Sequence, residues 1–188
     1  MSKRVTIIDY GIGNLYSVRR AVEVSGAEDI RVSARPEDIS NADKLILPGV
    51  GAFEDGMNGL RDRGLVQHII TAANAGKPLL GICLGMQLLA TVSEEFGLHS
   101  GLGLIPGEVK PIPNKSLDGE ALKVPFIGWS PLLLDEHLSA QSGILSNKNG
   151  DWVYFVHSYQ FLPRDPDHLL ASYSFGGRLI TAAVRKGN

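Results

Sequence analysis

The only cysteine, Cys83, stands between an apolar run, Pro78-Leu79-Leu80-Gly81-Ile82, and the segment Leu84-Gly85-Met86-Gln87-Leu88-Leu89. That is the pattern of a buried strand turning sharply into a helix. Gly81 and Gly85 flank the thiol two positions away on each side, the spacing of a nucleophile elbow with Cys in place of Ser. Such a turn lifts the sulfur above the sheet edge, while the helix behind it aims backbone N–H groups and its positive end at the thiolate. The thiol is therefore expected to be more acidic than a free one. The alternative is an inert cysteine packed as a small hydrophobe; the paired glycines and the strand-to-helix switch favour the nucleophile.

Two further segments could serve that sulfur. Pro48-Gly49-Val50-Gly51-Ala52-Phe53 follows a strongly apolar run, and glycines on either side of Val50 let a backbone N–H turn inward at low steric cost. With the N–H of Leu84 it would make an oxyanion hole; an ordinary tight turn fits the same residues equally well. Among the histidines, His68 lies in a helical stretch, and His99, His137 and His168 lie in connecting sequence where a solvated imidazole is usual. His157 sits in the apolar run from Trp152 to Gln160. Alternation puts it on one face with Phe155 and Tyr159, so it is either a hydrogen-bonded, half-buried histidine or a pocket residue. The turn Asp9-Tyr10-Gly11-Ile12-Gly13-Asn14 has neither the third glycine nor the sequel of a dinucleotide loop, and no cofactor is expected from it.

Alternating elements must position these groups. Strand patterns at residues 4–9, 29–33 and 44–47 alternate with helical patterns at 15–25, from Phe53, and at 65–74, and the cysteine turn closes the series. This predicts an α/β fold with a mostly parallel central sheet covered by helices on both faces. Sites in such sheets lie at the carboxyl ends of the strands, where Cys83, the loop at 48–51 and the loop at 9–14 all fall. Beyond Val92 the texture turns β-rich, with strands expected at 103–109, 124–129 and 152–161 and a hairpin at 169–184 through Gly176-Gly177, an antiparallel β extension.

The chain has 188 residues, 44% apolar and 20% charged, with a formal charge of −2, which suits one globular domain. One cysteine forbids an intrachain disulfide and a cysteine-rich zinc cluster. No basic block suggests nucleic acid, and no stretch of about 20 apolar residues suggests a membrane span. The start of the chain is not patterned as a signal peptide, so a cytoplasmic protein is expected.

PGVGAF at 48–53, GICLGMQLL at 81–89, IGW at 127–129, FVHSY at 155–159 and ITAAVRKGN at 180–188, with DYGIGN at 9–14, together resemble the glutaminase subunits of imidazole glycerol phosphate synthase, within the class I glutamine amidotransferases. The resemblance runs along essentially the whole chain. It implies a flavodoxin-like class I amidotransferase fold and a cysteine nucleophile. The reaction implied is hydrolysis of glutamine to glutamate and ammonia without a cofactor or metal. The ammonia would pass to a (β/α)₈ cyclase subunit in a heterodimer, which makes imidazole glycerol phosphate and aminoimidazole carboxamide ribotide in histidine biosynthesis. By the same resemblance Cys83 is the nucleophile, Val50 and Leu84 supply oxyanion N–H groups, and Gly49, Gly51, Gln87, His157, Ser158 and Tyr159 form the glutamine site. Asn14, Trp129 and Tyr154 face the partner.

In the family a segment of the form GVQFHPE follows the TAAV-like strand and carries the base His and its orienting Glu. The sequence reaches Asn188 before such a segment, so the resemblance implies a shortened domain. Loss of a positioned base costs about 10²- to 10⁴-fold in rate, and an uncovered sheet edge and apolar surface are expected with it. A catalytically inactive docking partner of the cyclase, or the glutaminase subunit of another class I amidotransferase, stand as alternatives.

Overall fold

The computed structural model describes residues 3–134 and 143–187; His137 lies outside the described residues. Strand β1 (Arg4–Ile8), helix α1 (Leu15–Val24), β2 (Asp29–Ser33), α2 (Pro36–Ser40), β3 (Lys44–Gly49), α3 (Phe53–Asp62), α4 (Val66–Asn74) and β4 (Leu79–Cys83) follow one another. The four strands form a parallel sheet in the order β2-β1-β3-β4. The period of two along the strands divides the core between its faces. Val5, Ile7 and Ile46 pack against Leu15, Val18 and Val22, the apolar stripe of α1. Ile8, Leu45 and Leu47 pack on the other side in the cluster that holds Phe53, Met57 and Leu60 of α3 and Ile69 of α4. Such two-sided burial makes β3 a continuous apolar run after Lys44, and β1 apolar from Val5 to Ile8 except for the buried Thr6, rather than alternating. At the edge, Leu80 and Ile82 of β4 are exposed.

Helix ends are set locally. The Asn14 side chain accepts from Ser17 N at 3.1 Å and caps α1, satisfying one of the N–H groups a helix start leaves open. Gly76, at φ +82°, follows α4 in the left-handed conformation that ends a helix before Pro78 turns the chain back into the sheet.

After β4 comes one turn of helix, α5 (Leu84–Gln87), and then the strands β5 (Val92–Ser93), β6 (His99–Ser100), β7 (Gly107–Pro111), β8 (Phe126–Pro131), β9 (Leu133–Leu134), β10 (Trp152–His157), β11 (Tyr159–Pro163), β12 (Leu169–Phe175) and β13 (Arg178–Val184). They make three small sheets, β11-β7-β5-β6, β10-β8 and β13-β12-β9, antiparallel except for the β5–β7 pair. The run 152–161 is therefore two strands: the chain breaks at Ser158 and passes from β8 to β7, and the N–H of Ile112, just past β7, donates to the Ser158 carbonyl at 2.9 Å. The strand expected at 103–109 forms later, at 107–111, and that expected at 124–129 runs from 126 to 131.

Alternation sorts the β8–β10 ribbon cleanly. Phe126, Phe155 and Tyr173 face inward and stack, with Phe155 and Tyr173 rings 4.3 Å apart. On the outward face, Ile127, Trp129, Trp152, Tyr154 and Val156 are exposed.

Candidate active site

Gly49 at the end of β3 lies beside Cys83 at the end of β4 in the sheet register. Cys83 takes φ +55° and ψ −116°, a conformation that a non-glycine residue holds only when its surroundings impose it. Both flanking glycines show what imposes it. A Cβ on Gly81 would lie 2.7 Å from the Gly85 carbonyl oxygen and from Met86 N, and one on Gly85 would overlap the Leu47 carbonyl. The first residues of α5 are thus pressed directly onto the backbones of β3 and β4. Any larger residue at 81 or 85 would push the turn open.

Cys83 is exposed as a residue, while Leu84 behind it is buried. The acidity of the thiol departs from the expectation. Burial of the protein-facing side pushes the Cys83 thiol pKa up, and the Leu84 N–H, hydrogen-bonded to the sulfur, pulls it only part of the way back. Two physical facts explain the correction. Desolvation penalises the thiolate, and a helix of four residues has little aligned dipole to offset it. Iodoacetamide alkylation of Cys83 is accordingly expected to keep rising about tenfold per pH unit beyond the ordinary thiol range, since only the thiolate reacts. A plateau near neutrality, followed by intact mass, would show a thiol held acidic instead.

Gln87, on α5, reaches across to the β extension and donates from Nε2 to the Tyr159 carbonyl at 3.0 Å. His157 Nδ1 meets the same oxygen at 2.8 Å, and His157 Nε2 meets Tyr173 Oη at 2.8 Å. Because a carbonyl can only accept, Nδ1 must carry the proton, and Nε2 then accepts from the phenol. Burial lowers the His157 pKa, so the ring is neutral near pH 7. Of the two readings open for His157, the hydrogen-bonded, half-buried one describes it. Both nitrogens are committed, and neither is free to take a proton from Cys83. Tyr173, wholly buried, and this lock on Tyr159 were not legible in the sequence, because only the fold brings β12 beneath β10.

The other expected positions fall as follows. Val50 is exposed at the mouth of the loop, and Gly51, at φ +96°, uses a conformation that favours glycine. The loop end is tied down by Glu95, which accepts from Phe53 N at 2.7 Å. No sequence signal marked Glu95, and none gave a role to Tyr10 within the loop at 9–14; its hydroxyl donates to the Pro48 carbonyl at 2.6 Å. Trp129 and Tyr154 are cross-strand partners with rings 5.5 Å apart, edge to face, on the exposed side of the ribbon. The Asn14 oxygen is engaged as the α1 cap. Among the described residues no cluster of His, Cys, Asp and Glu could hold a metal ion, and no helix is long and apolar enough to cross a membrane.

Comparison with known proteins identifies the family. Residues 6–185 match the family described as glutamine amidotransferase class-I. The imidazole glycerol phosphate synthase subunit HisH of Geobacillus sp. (strain WCH70) is 50% identical over 184 residues, covering 98% of this chain and 84% of that protein. HisH 1 of Legionella pneumophila (strain Lens) is 46% identical over 186 residues, 98% and 87% of the two chains. Among solved structures, a glutamine amidotransferase superimposes with a TM-score of 0.70 at 17% identity, over 97% of this chain and 85% of the other. The PurLQS structure from Thermotoga maritima gives 0.65 at 18%, over 95% and 80%. These two establish likeness of fold, and the identity to the first two carries the finer assignment. The chain belongs to the class-I glutamine amidotransferases and, within them, to the HisH subunits of imidazole glycerol phosphate synthase.

Proposed function

We propose that the chain is the glutaminase subunit of imidazole glycerol phosphate synthase and that Cys83 is its nucleophile. The observation that carries this is an exposed cysteine on a sterically enforced turn, beside the loop at 49–51 and in front of a clamp between Gln87 and Tyr159. The thiolate attacks the side-chain carbonyl carbon of glutamine, forming a C–S bond and a tetrahedral oxyanion. The N–H groups of Val50 and Leu84 receive that charge. The C–N bond then breaks, ammonia leaves with a proton supplied by solvent water, to which the thiol has lost its own, and water hydrolyses the thioester to glutamate and free thiol. Gly49, Gly51, Gln87, Ser158 and Tyr159 shape the glutamine site. His157 serves it at one remove, by fixing the Tyr159 carbonyl.

The partner is the cyclase subunit, in a heterodimer in the cytoplasm, with Trp129, Tyr154 and Asn14 on the side of the molecule that meets it. The ammonia would pass to that subunit as the nitrogen source for imidazole glycerol phosphate. One observation favours a second reading, an inactive docking subunit: the thiol pKa is raised and both nitrogens of His157 are committed. Release of ammonia from glutamine, measured with and without the cyclase, decides between them. The glutaminase reading expects cyclase-stimulated release; binding of the cyclase with release no greater than that of the Cys83→Ala variant would leave docking as the function.

A further inference from the structure

Tyr10 is wholly buried, yet its phenol ends on backbone rather than on hydrocarbon. The hydroxyl donates to the Pro48 carbonyl at 2.6 Å. A Cβ placed on Gly49 would collide with that same hydroxyl and lie 2.9 Å from Leu84 Cβ and 3.0 Å from Gly85 N. The phenol tip, the Gly49 backbone and the start of α5 therefore meet at one point beneath Cys83. The other end of Tyr10 is also held: Gly59 of α3 approaches so closely that a Cβ there would come within 2.5 Å of the Tyr10 carbonyl oxygen. Tyr10 is thus a strut from α3 to the loop at 48–51.

Resting on the amidotransferase reading above, we infer that the Tyr10 hydroxyl is a positioning group for the oxyanion hole, fixing the Pro48–Gly49 peptide so that the Val50 N–H is aimed from a rigid base. The Val50 N–H belongs to the next peptide plane, Gly49–Val50. That plane turns by changing ψ at Gly49 and φ at Val50, and its direction is defined only if the plane before it stays still. Without the hydroxyl, Pro48 and Gly49 would move together with the loop and the N–H would sample many directions. Burial, and then the charge of a Cys83 thiolate, push the Tyr10 pKa far up, so the group remains a neutral donor at every working pH.

The test uses the full chain and two reagents that alkylate Cys83. With 2-amino-5-chloro-4-oxopentanoate, a chloroketone shaped like glutamine, the thiolate adds to the ketone carbonyl and places an oxyanion in the hole. The sulfur–methylene bond then forms as the carbon–chlorine bond breaks and chloride leaves, and the first sulfur–carbon bond breaks as the oxyanion returns its electron pair to re-form the ketone. With iodoacetamide the same kind of bond forms as iodide leaves, with no bound oxyanion. Tyr10→Phe is expected to slow the chloroketone about tenfold, the worth of one buried hydrogen bond of about 1–1.5 kcal/mol, and to change the iodoacetamide rate less than about twofold on the same reckoning. Tyr10→para-aminophenylalanine, which restores a donor, is expected to recover the chloroketone rate. Should Tyr10→Phe lose its cooperative thermal transition, the para-amino and para-fluoro analogues at this position carry the same comparison. An unchanged chloroketone rate in the variant, or equal slowing with both reagents, overturns the inference alone. If the native chain shows no glutamine-protected preference for the chloroketone, the amidotransferase reading itself falls.

Discussion

Cys83→Ala is expected to reduce ammonia release from glutamine, in the complex with the cyclase, by more than about tenfold, short of the roughly 10⁴-fold or more seen where a nucleophile acts together with its positioned base, because members of one catalytic unit are not additive. The size follows from the lack of a substitute. Cys83 is the only cysteine in the sequence, and the site around it offers oriented N–H groups and amide side chains, which stabilise charge but do not attack a carbonyl. What should survive is binding. The substitution removes one sulfur from an exposed position and leaves Gln87, Tyr159 and the loop at 49–51 as they were. Glutamine affinity and the melting temperature should therefore change little, and calorimetry together with the ammonia assay would show the separation. A variant that keeps even a tenth of the native rate would mean that the chemistry happens elsewhere.

Gly85→Ala is expected to destabilise the chain by about 3 kcal/mol or more, beyond the usual range for one added methyl group in a packed interior. The reason lies in what the methyl meets. A Cβ at this position would overlap the Leu47 carbonyl, which belongs to the middle of β3, and main chain in a central strand cannot swing aside as a flexible side chain can. Relief would come from moving α5 away from β3, which takes Leu84 and Leu88 out of the core cluster and relaxes the turn that holds Cys83 at positive φ. Urea unfolding would read the loss as a lower midpoint. Iodoacetamide kinetics on whatever folded protein remains would read the relaxed turn. A midpoint within experimental error of the native one would contradict the close packing that makes the elbow.

The parallel sheet was legible because β1 and β3 are buried on both faces and so are written as predominantly apolar runs, with Thr6 the one polar residue between Val5 and Ile8, followed by glycine and proline punctuation. The cysteine turn was legible for a related reason: its glycines answer to backbone collisions, and a steric requirement for having no side chain survives in sequence as Gly81 and Gly85. Less was readable beyond Val92. Apolar alternation continues through Ser158, so the run 152–161 reads as one strand, whereas hydrogen bonding to two different partners divides it into β10 and β11. The segment 84–89 is apolar on nearly every side, so its periodicity does not say that the helix closes after a single turn. That shortness, with burial, reversed the expected direction of the thiol pKa. The contacts of Tyr10 with Pro48 and of His157 with Tyr173 join residues 38 and 16 positions apart. No local pattern encodes them; they exist because β1 lies beside β3 and β12 beneath β10.

Ammonia release by this chain requires that Cys83 take the γ-glutamyl group from glutamine. Mixing the chain and its cyclase with isotopically labelled glutamine, quenching in acid within the first turnovers and mapping the digested peptides by mass spectrometry tests this directly. A hydroxylamine-sensitive γ-glutamyl adduct on the peptide containing Cys83, absent from Cys83→Ala, is the predicted result. Labelled glutamate formed at an undiminished rate by Cys83→Ala, with no adduct on the native peptide, would contradict it.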